Sequence, residues 1–236
     1  MDIRIFRIHS KLIELAWPKV ISTDILREQQ QVRRFFEEEY TEGIREIRIG
    51  FNTLSLKLRI EISENDCADI LEEINQLPSI LGSFSSKIWK IPVHYSPESG
   101  KDLEKLAGIH EIGIEEIIKI HSETIYTLHF YGFLPGFMYL GGLDEKLYTP
   151  RKKNPERSMP SGTVAIGGKQ TGIYPAESPG GWHAIGQCPV RLFDISKERP
   201  VVPAIGDKVK FEPITREVFE DIQQLSHQGL YSWHHD

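Results

Sequence analysis

Between Gly132 and Gly186 the sequence gathers eleven of its nineteen glycines and six of its fourteen prolines. Each glycine adds unfolded-state entropy that folding must overcome, and each proline removes a backbone donor, so a helical or uniformly packed core is a poor destination for this stretch. Tight turns between short extended pieces are the folds it allows. Large side chains are interleaved with the glycines: Phe133, Phe137, Met138 and Tyr139 in one segment, Tyr174 and Trp182 further on. Aromatic groups beside bare backbone suit an apolar pocket whose polar contacts come from exposed N–H and C=O groups, with Gln170 and Arg191 as side-chain donors.

The rest of the chain has to support that surface. At 236 residues it is long enough for one large or two modest domains. Hydrophobic residues at 39% and charged residues at 26% are ordinary for a globular protein, which excludes a disordered or fibrous chain. A net charge of −6, with Arg151-Lys152-Lys153 and Arg157 as the one dense basic cluster, gives no footprint for nucleic acid and reads as a solvated loop. No apolar run reaches the roughly 18 residues that span a bilayer, and the N-terminus lacks a signal-peptide core, so a cytoplasmic protein with no membrane partner is expected. Cys67 and Cys188 are too isolated for a disulfide scaffold or a zinc site. His94, His121 and His129 lack the spacing of helical zinc ligands, and no metal site is expected.

Periodicity divides the chain. Ile3-Arg4-Ile5 and Leu12 to Trp17 read as two strands, the second stopped by Pro18. A helix capped by Ser22 or Asp24 follows, with Ile25, Val32 and Phe36 on one face and Gly43 after its end. Ile47 to Ile49 and the alternating Leu54 to Ile60 give two more strands, and a helix from near Asp66 carries Ile70, Leu71, Ile74 and Leu77 up to Pro78. This ββαββα order predicts a small α+β sandwich over residues 1–86. Residues 87–236 have another character: an extended Ile88 to Tyr95, two short helices (Lys101 to Ala107, Ile114 to His121), a strand from Tyr126 to Phe130, then short extended pieces at 162–166, 181–186, 189–194 and 208–213, and a last helix from Thr215 to Gln224. Many short strands with Gly/Pro punctuation predict a closed β-barrel. The terminal Trp233-His234-His235-Asp236 is a weak candidate for a metal, in a position where chains are commonly disordered.

Two chemical motifs are approached and missed. Gly162 to Thr171 has an extra glycine and a Gln170 in place of the hydroxyl that a phosphate loop requires, so it predicts a turn between strands. Ser178, His183 and Asp194 supply the residue types of a hydrolytic triad without a nucleophile elbow. No catalytic residue is identified.

The blocks Gly132-Phe133-Leu134-Pro135-Gly136-Phe137-Met138-Tyr139-Leu140-Gly141-Gly142, Thr149-Pro150-Arg151, Pro160-Ser161-Gly162-Thr163-Val164-Ala165-Ile166, Gln170-Thr171-Gly172-Ile173-Tyr174-Pro175, Ser178-Pro179-Gly180-Gly181-Trp182 and Arg191-Leu192-Phe193-Asp194 closely resemble the allophanate hydrolase subunit 1 family. That family includes the B-subunit of bacterial 5-oxoprolinase and a sporulation kinase inhibitor, and is similar to the C and D subdomains of the urea carboxylase carboxyltransferase. The resemblance implies a cyclophilin-like β-barrel after the small α/β domain. It also implies one component, inactive alone, of a multi-subunit ATP-dependent hydrolase that opens 5-oxo-L-proline to L-glutamate. The implied partners are proteins like the 5-oxoprolinase A-subunit and like the 5-oxoprolinase C-subunit (allophanate hydrolase subunit 2-like), with ATP held in the complex, where a partner can carry it. Two other roles follow from the same resemblance: an inhibitor docking on a sensor histidine kinase, and a component of a urea carboxylase or allophanate hydrolase-like amidolyase. The residues marked as candidates for substrate or partner contact are Pro135, Gly136, Phe137, Met138, Pro160, Gln170, Tyr174, Ser178, Gly180, Trp182 and Arg191.

Overall fold

The computed structural model of the protein describes residues 2–78 and 87–236. The chain forms two compact units that divide between Ser83 and Phe84. The division expected between 86 and 87, and the polar run from Gly82 to Ser86 that suggested it, lie at or within the segment outside the described residues.

The N-terminal unit runs β1 (Arg4–His9), β2 (Leu12–Ala16), α1 (Thr23–Glu39), β3 (Ile44–Ile49), β4 (Thr53–Leu58), α2 (Glu64–Gln76), with an antiparallel sheet in the order β1-β2-β4-β3. Strict alternation buries Ile13, Leu15, Leu54 and Leu56 completely, while Glu14 and Ser55 meet on the opposite face at 3.1 Å. Ser22 caps α1 by accepting the Asp24 N–H at 3.1 Å, and Ile25, Val32 and Phe36 are buried as their spacing predicts. α2 starts at Glu64, earlier than expected, because Asp66 is the third residue of a capping box: its carboxylate accepts the Ser63 N–H at 2.6 Å and its own N–H donates to Ser63 Oγ at 3.2 Å. Periodicity did not reveal the fully buried Gln29, whose amide donates to the carbonyls of Gly50 and Thr53, both at 3.0 Å.

The C-terminal unit contains β5 (Ile88–Val93), α3 (Leu103–His110), α4 (Ile114–Glu123), β6 (Ile125–Tyr131), β7 (Met138–Gly141), β8 (Glu156–Met159), β9 (Thr163–Gly167), β10 (Gln170–Ile173), β11 (Ser178–Gly180), β12 (His183–Gln187), β13 (Lys208–Pro213), α5 (Arg216–His227) and β14 (His234–His235). Eight strands form one sheet in the order β12-β9-β10-β7-β6-β13-β5-β14, antiparallel except for β5 with β13, while β8 and β11 make a separate ribbon. The segment 189–194, expected as a strand, has no strand pairing. The C-terminal residues form β14, held on β5 by backbone bonds between Ile88 and Asp236 at 3.2 and 3.0 Å.

The closed barrel is corrected to a curled sheet with an open ladder. Past the end of β5, His94 and Gln187 exchange backbone bonds at 2.9 and 3.0 Å, and pairing along β12 goes no further. The reason lies at Asp102. Its N–H donates to Ala184 O at 3.0 Å and its carboxylate accepts the Ala184 N–H at 2.7 Å, so one residue occupies the edge of β12 where another strand would lie. Asp102 is also the N-cap of α3 yet makes no side-chain cap bond there.

Inside the curl, Ile91, Val93, Tyr126, Leu128, Leu140, Val164, Ile166, Ile173, Val209 and Phe211 form the main core. His121 crosses it. Tyr95 Oη bonds its Nδ1 at 2.8 Å, Thr171 Oγ1 lies 2.9 Å from its Nε2, and Phe211 stacks on the ring at 4.6 Å. Because the Thr171 hydroxyl donates to Ala165 O at 3.1 Å, it accepts from Nε2–H, and Nδ1 is left to accept from Tyr95. The ring is neutral, and burial lowers its pKa to about 3.

Candidate functional site

The opposite face of the same sheet is built differently. On β10, Thr171 and Ile173 turn toward the main core, leaving Gln170 and Gly172 on the other side. A Cβ on Gly172 would stand 2.6 Å from Met138 O and 3.1 Å from the Phe137 ring; one on Gly167 would stand 2.5 Å from the Trp182 indole. These glycines are seats for aromatic rings laid against backbone. Phe137, Tyr174 and Trp182 pack there with Met159, Ala165 and Ala184 as a second, smaller core. Phe137 meets Tyr174 at 5.1 Å and 88° and Trp182 at 5.4 Å and 84°, both edge-to-face. Gly180 passes beneath Tyr174, where a Cβ would lie 2.3 Å from the phenol oxygen.

Above this layer lies a polar corner. The Arg151 guanidinium is 5.5 Å from the centre of the Trp182 ring and hydrogen-bonds the Tyr139 phenol. Arg151 is exposed and forms no ion pair among the described residues. The next residue turns inward: Lys152 Nζ pairs with Asp102 at 2.7 Å and Glu156 at 2.9 Å, with the Lys152 and Asp102 side chains 7% and 10% exposed. Lys152 N–H also donates to Gly181 O at 2.7 Å, and His183 Nε2 donates to Pro150 O at 3.0 Å. Loop 150–156 is thereby tied to residues 181–184, and Arg151 is held over Trp182. The Asp102 and Glu156 carboxylates oppose the burial penalty on the Lys152 ammonium and raise its pKa.

Gln170 borders the corner. It pairs with Gly167, which Trp182 covers, and the β7–β10 register places Tyr139 opposite Gly172, two positions along. Its Oε1 is buried without a partner, and its amide makes no hydrogen bond among the described residues. Ser178 Oγ is likewise buried and unpartnered.

A groove of about 580 Å³ opens elsewhere on this unit. Leu134, Pro135, Pro175, Pro189, Val190 and Phe193 line it, with Ser161, Arg191, Gln223 and His227 as polar members. Arg191 is anchored through its N–H to Ser226 Oγ at 2.8 Å and through Nε to Phe193 O at 3.1 Å. Of the marked residues, Pro135 and Arg191 line the groove and Gly136 lies under Phe193, with φ +85° and a would-be Cβ 2.7 Å from Phe193 Cβ. Phe137, Tyr174, Trp182 and Gly180 belong to the aromatic layer, Met138 to the main core, and Pro160 to a turn whose carbonyl accepts from Thr163.

Sequence reasoning passed over one residue and left another without a setting. Phe133, named above with the pocket aromatics, is 59% exposed with φ +64°, an uncommon conformation for a bulky residue, and its ring meets Phe137 edge-on at 5.6 Å. Arg151, read as part of a solvated loop, is the cation of the polar corner. Ser178, His183 and Asp194 have separate settings: His183 bonds Pro150, and Asp194 bonds Ser196 at 2.7 Å. Among the described residues no group of three or more His, Cys, Asp or Glu side chains is arranged for a metal ion, and no helix is long and apolar enough to cross a membrane.

Residues 3–203 match the model of the carboxyltransferase domain, subdomain C and D. The chain is 40% identical over 189 residues to the 5-oxoprolinase B-subunit of Haemophilus influenzae, covering 79% of this chain and 87% of that protein. It is 41% identical over 140 residues to the 5-oxoprolinase B-subunit of Bacillus subtilis, covering 59% of this chain and 58% of that one. The structure of the K. lactis urea amidolyase superposes with a TM-score of 0.86 over 99% of this chain and 16% of that much longer one, at 17% identity, and so shares the fold.

Proposed function

The chain belongs to the family of the carboxyltransferase domain, subdomain C and D, and on that footing we propose that it is one component of an ATP-dependent 5-oxoprolinase, inactive by itself. The likeness to the Haemophilus influenzae B-subunit, extending over most of both chains, carries this reading. The chemistry suits a shared site. A lactam is a stable amide, and coupling its opening to ATP activates a carbonyl that water alone attacks slowly.

This chain's own residues do not fit a nucleotide loop. The segment from Gly162 to Thr171 is a β-hairpin, and the N–H groups of Gly162 and Gly168 are spent on Tyr174 O and Thr149 O, both at 2.7 Å. ATP is assigned to a partner in this proposal. Proteins like the 5-oxoprolinase A-subunit and C-subunit are the proposed partners. The groove is the proposed docking surface, with Pro135 and Arg191 as contacts, because aromatic and arginine side chains such as Phe193 and Arg191 are the usual anchors of such interfaces. Gln170 with the Tyr174 and Trp182 layer is the proposed substrate side. The division at 86/87 belongs to the same proposal.

An omission assay tests it. L-glutamate formation from 5-oxo-L-proline and ATP is expected only when this chain and both partners are mixed. Turnover by this chain alone, or undiminished turnover without it, would overturn the reading.

A further inference from the structure

Gln170 and Arg151 are left over by the fold in complementary ways. Gln170 presents a side-chain amide with no hydrogen bond among the described residues and with its Oε1 already out of solvent, a cost that proteins rarely leave uncompensated. Arg151 presents an exposed guanidinium without a carboxylate among the described residues, braced on its apolar side by the Trp182 ring and on its polar side by Tyr139. Neither position is loose. The buried Lys152–Asp102 pair and the Lys152 N–H to Gly181 O bond fix the loop beneath Arg151, and β10 pairing on both sides fixes Gln170.

The chemistry of a matching ligand can be read from these two groups. A carboxamide offers one acceptor and two donors side by side. Its natural bidentate partner is an amide held cis, in which N–H and C=O point the same way. Open-chain secondary amides are overwhelmingly trans; a small ring lactam is cis by construction. A guanidinium next to it selects a planar carboxylate.

We infer that Gln170 and Arg151 form a subsite for a carboxylate-bearing cis-lactam, the Gln170 side chain turning to bring its enclosed Oε1 and its NH2 onto both edges of the ring amide and Arg151 pairing with the carboxylate. This deepens, and rests on, the assignment to 5-oxoproline chemistry, and it gives Arg151 a role in choosing the substrate. The Asp102–Lys152 pair positions Arg151 without touching the ligand.

The test uses the reconstituted three-component complex. Gln170→Leu and Arg151→Gln are each expected to raise KM for 5-oxo-L-proline about tenfold or more, the loss of a ligand hydrogen bond to a polar or charged group, with a smaller change in kcat. Arg151→Lys should recover part of the loss. As competitors, 2-pyrrolidinone, which lacks the carboxylate, and L-proline, which lacks the lactam carbonyl, should bind more weakly than 5-oxo-L-proline to the wild type. Arg151→Gln should erase the preference over 2-pyrrolidinone. Unchanged KM in both variants, with assembly intact, would overturn the subsite while leaving the oxoprolinase reading in place. Were the wild-type complex inactive on 5-oxo-L-proline, that reading would fail, and the subsite would be judged on the Gln170 side-chain amide resonance of this chain. A shift on titration with 5-oxo-L-proline larger than with 2-pyrrolidinone supports it, and no shift overturns it.

Discussion

The two faces of the C-terminal sheet solve different packing problems with the same strands. Toward the main core, β6, β9, β10 and β13 present Tyr126, Leu128, Val164, Ile166, Ile173, Val209 and Phe211, side chains that fill space against one another. On the other face the strands present Gly167, Gly172, Ala165 and Ala184, and the bulk is brought in by Phe137, Tyr174 and Trp182 lying on bare backbone. The first arrangement makes a core that many aliphatic sequences could make. The second leaves a rigid aromatic floor with polar groups at its margin, which a binding site needs and a core does not.

Removing the inward tie of the second face should have the largest effect. Asp102→Ala would leave Lys152 buried beside a single remaining carboxylate and free the N–H of Ala184; about 3–5 kcal/mol of stability should be lost in denaturant unfolding. Replacing both partners, Asp102→Leu with Lys152→Met, should recover much of it. If the single substitution costs no more than an exposed ion pair would, the loop is not held as described.

Next in size is a test of the aromatic seats. Gly167→Ala sets a Cβ about where the Trp182 indole lies, and overpacking of this kind costs about 1–3 kcal/mol. The thermal midpoint should fall and the near-ultraviolet signal of Trp182 should change. A neutral outcome would mean that the ring is free to lift, and the distinction between the faces would weaken.

Two buried histidines make the C-terminal unit sensitive to acid. His121, with its pKa near 3, and His129 on β6, lowered by burial and by Lys208 to about 4, are neutral when folded. Above the ordinary value of about 6.5 neither form carries a proton and these groups contribute no pH dependence. As pH falls below it, the unfolded chain takes up protons that the folded chain refuses. Stability should therefore drop by about 1.4 kcal/mol per pH unit for each histidine, until pH nears the folded values of about 4 and 3. Unfolding midpoints from pH 7 to pH 5 measure this, and His121→Gln should flatten the slope.

The contrast between the faces also explains what the sequence made legible. In the N-terminal unit, Leu54 to Leu58 alternate without a break and Ile70, Leu71, Ile74 and Leu77 keep helical spacing, so the ββαββα order follows from side-chain pattern alone, while the Ser63–Asp66 capping box that starts α2 earlier went unread. Tyr126 to Phe130 was readable for the same reason. β10 was not: in Gln170-Thr171-Gly172-Ile173 the inward residues are one polar and one apolar, and an outward one has no side chain, so periodicity carries little signal. The open ladder was hidden as well, because Asp102 looks like an ordinary helix cap until its carboxylate is seen on Ala184. Of the marked aromatic residues, Phe137, Tyr174 and Trp182 are buried floor, and the exposed groups beside them are Phe133 and Arg151. Spacing reports which residues are large; it does not report which of them a glycine lets lie flat.

Two arginines separate the two candidate surfaces, Arg151 at the aromatic corner and Arg191 in the groove. Steady-state KM for 5-oxo-L-proline, measured side by side for Arg151→Gln and Arg191→Gln in the assembled complex, tests the account most directly. Arg151→Gln should raise KM about tenfold or more, while Arg191→Gln should leave it near wild type and weaken assembly instead. The reverse pattern would contradict the assignment of the corner to substrate and of the groove to a partner.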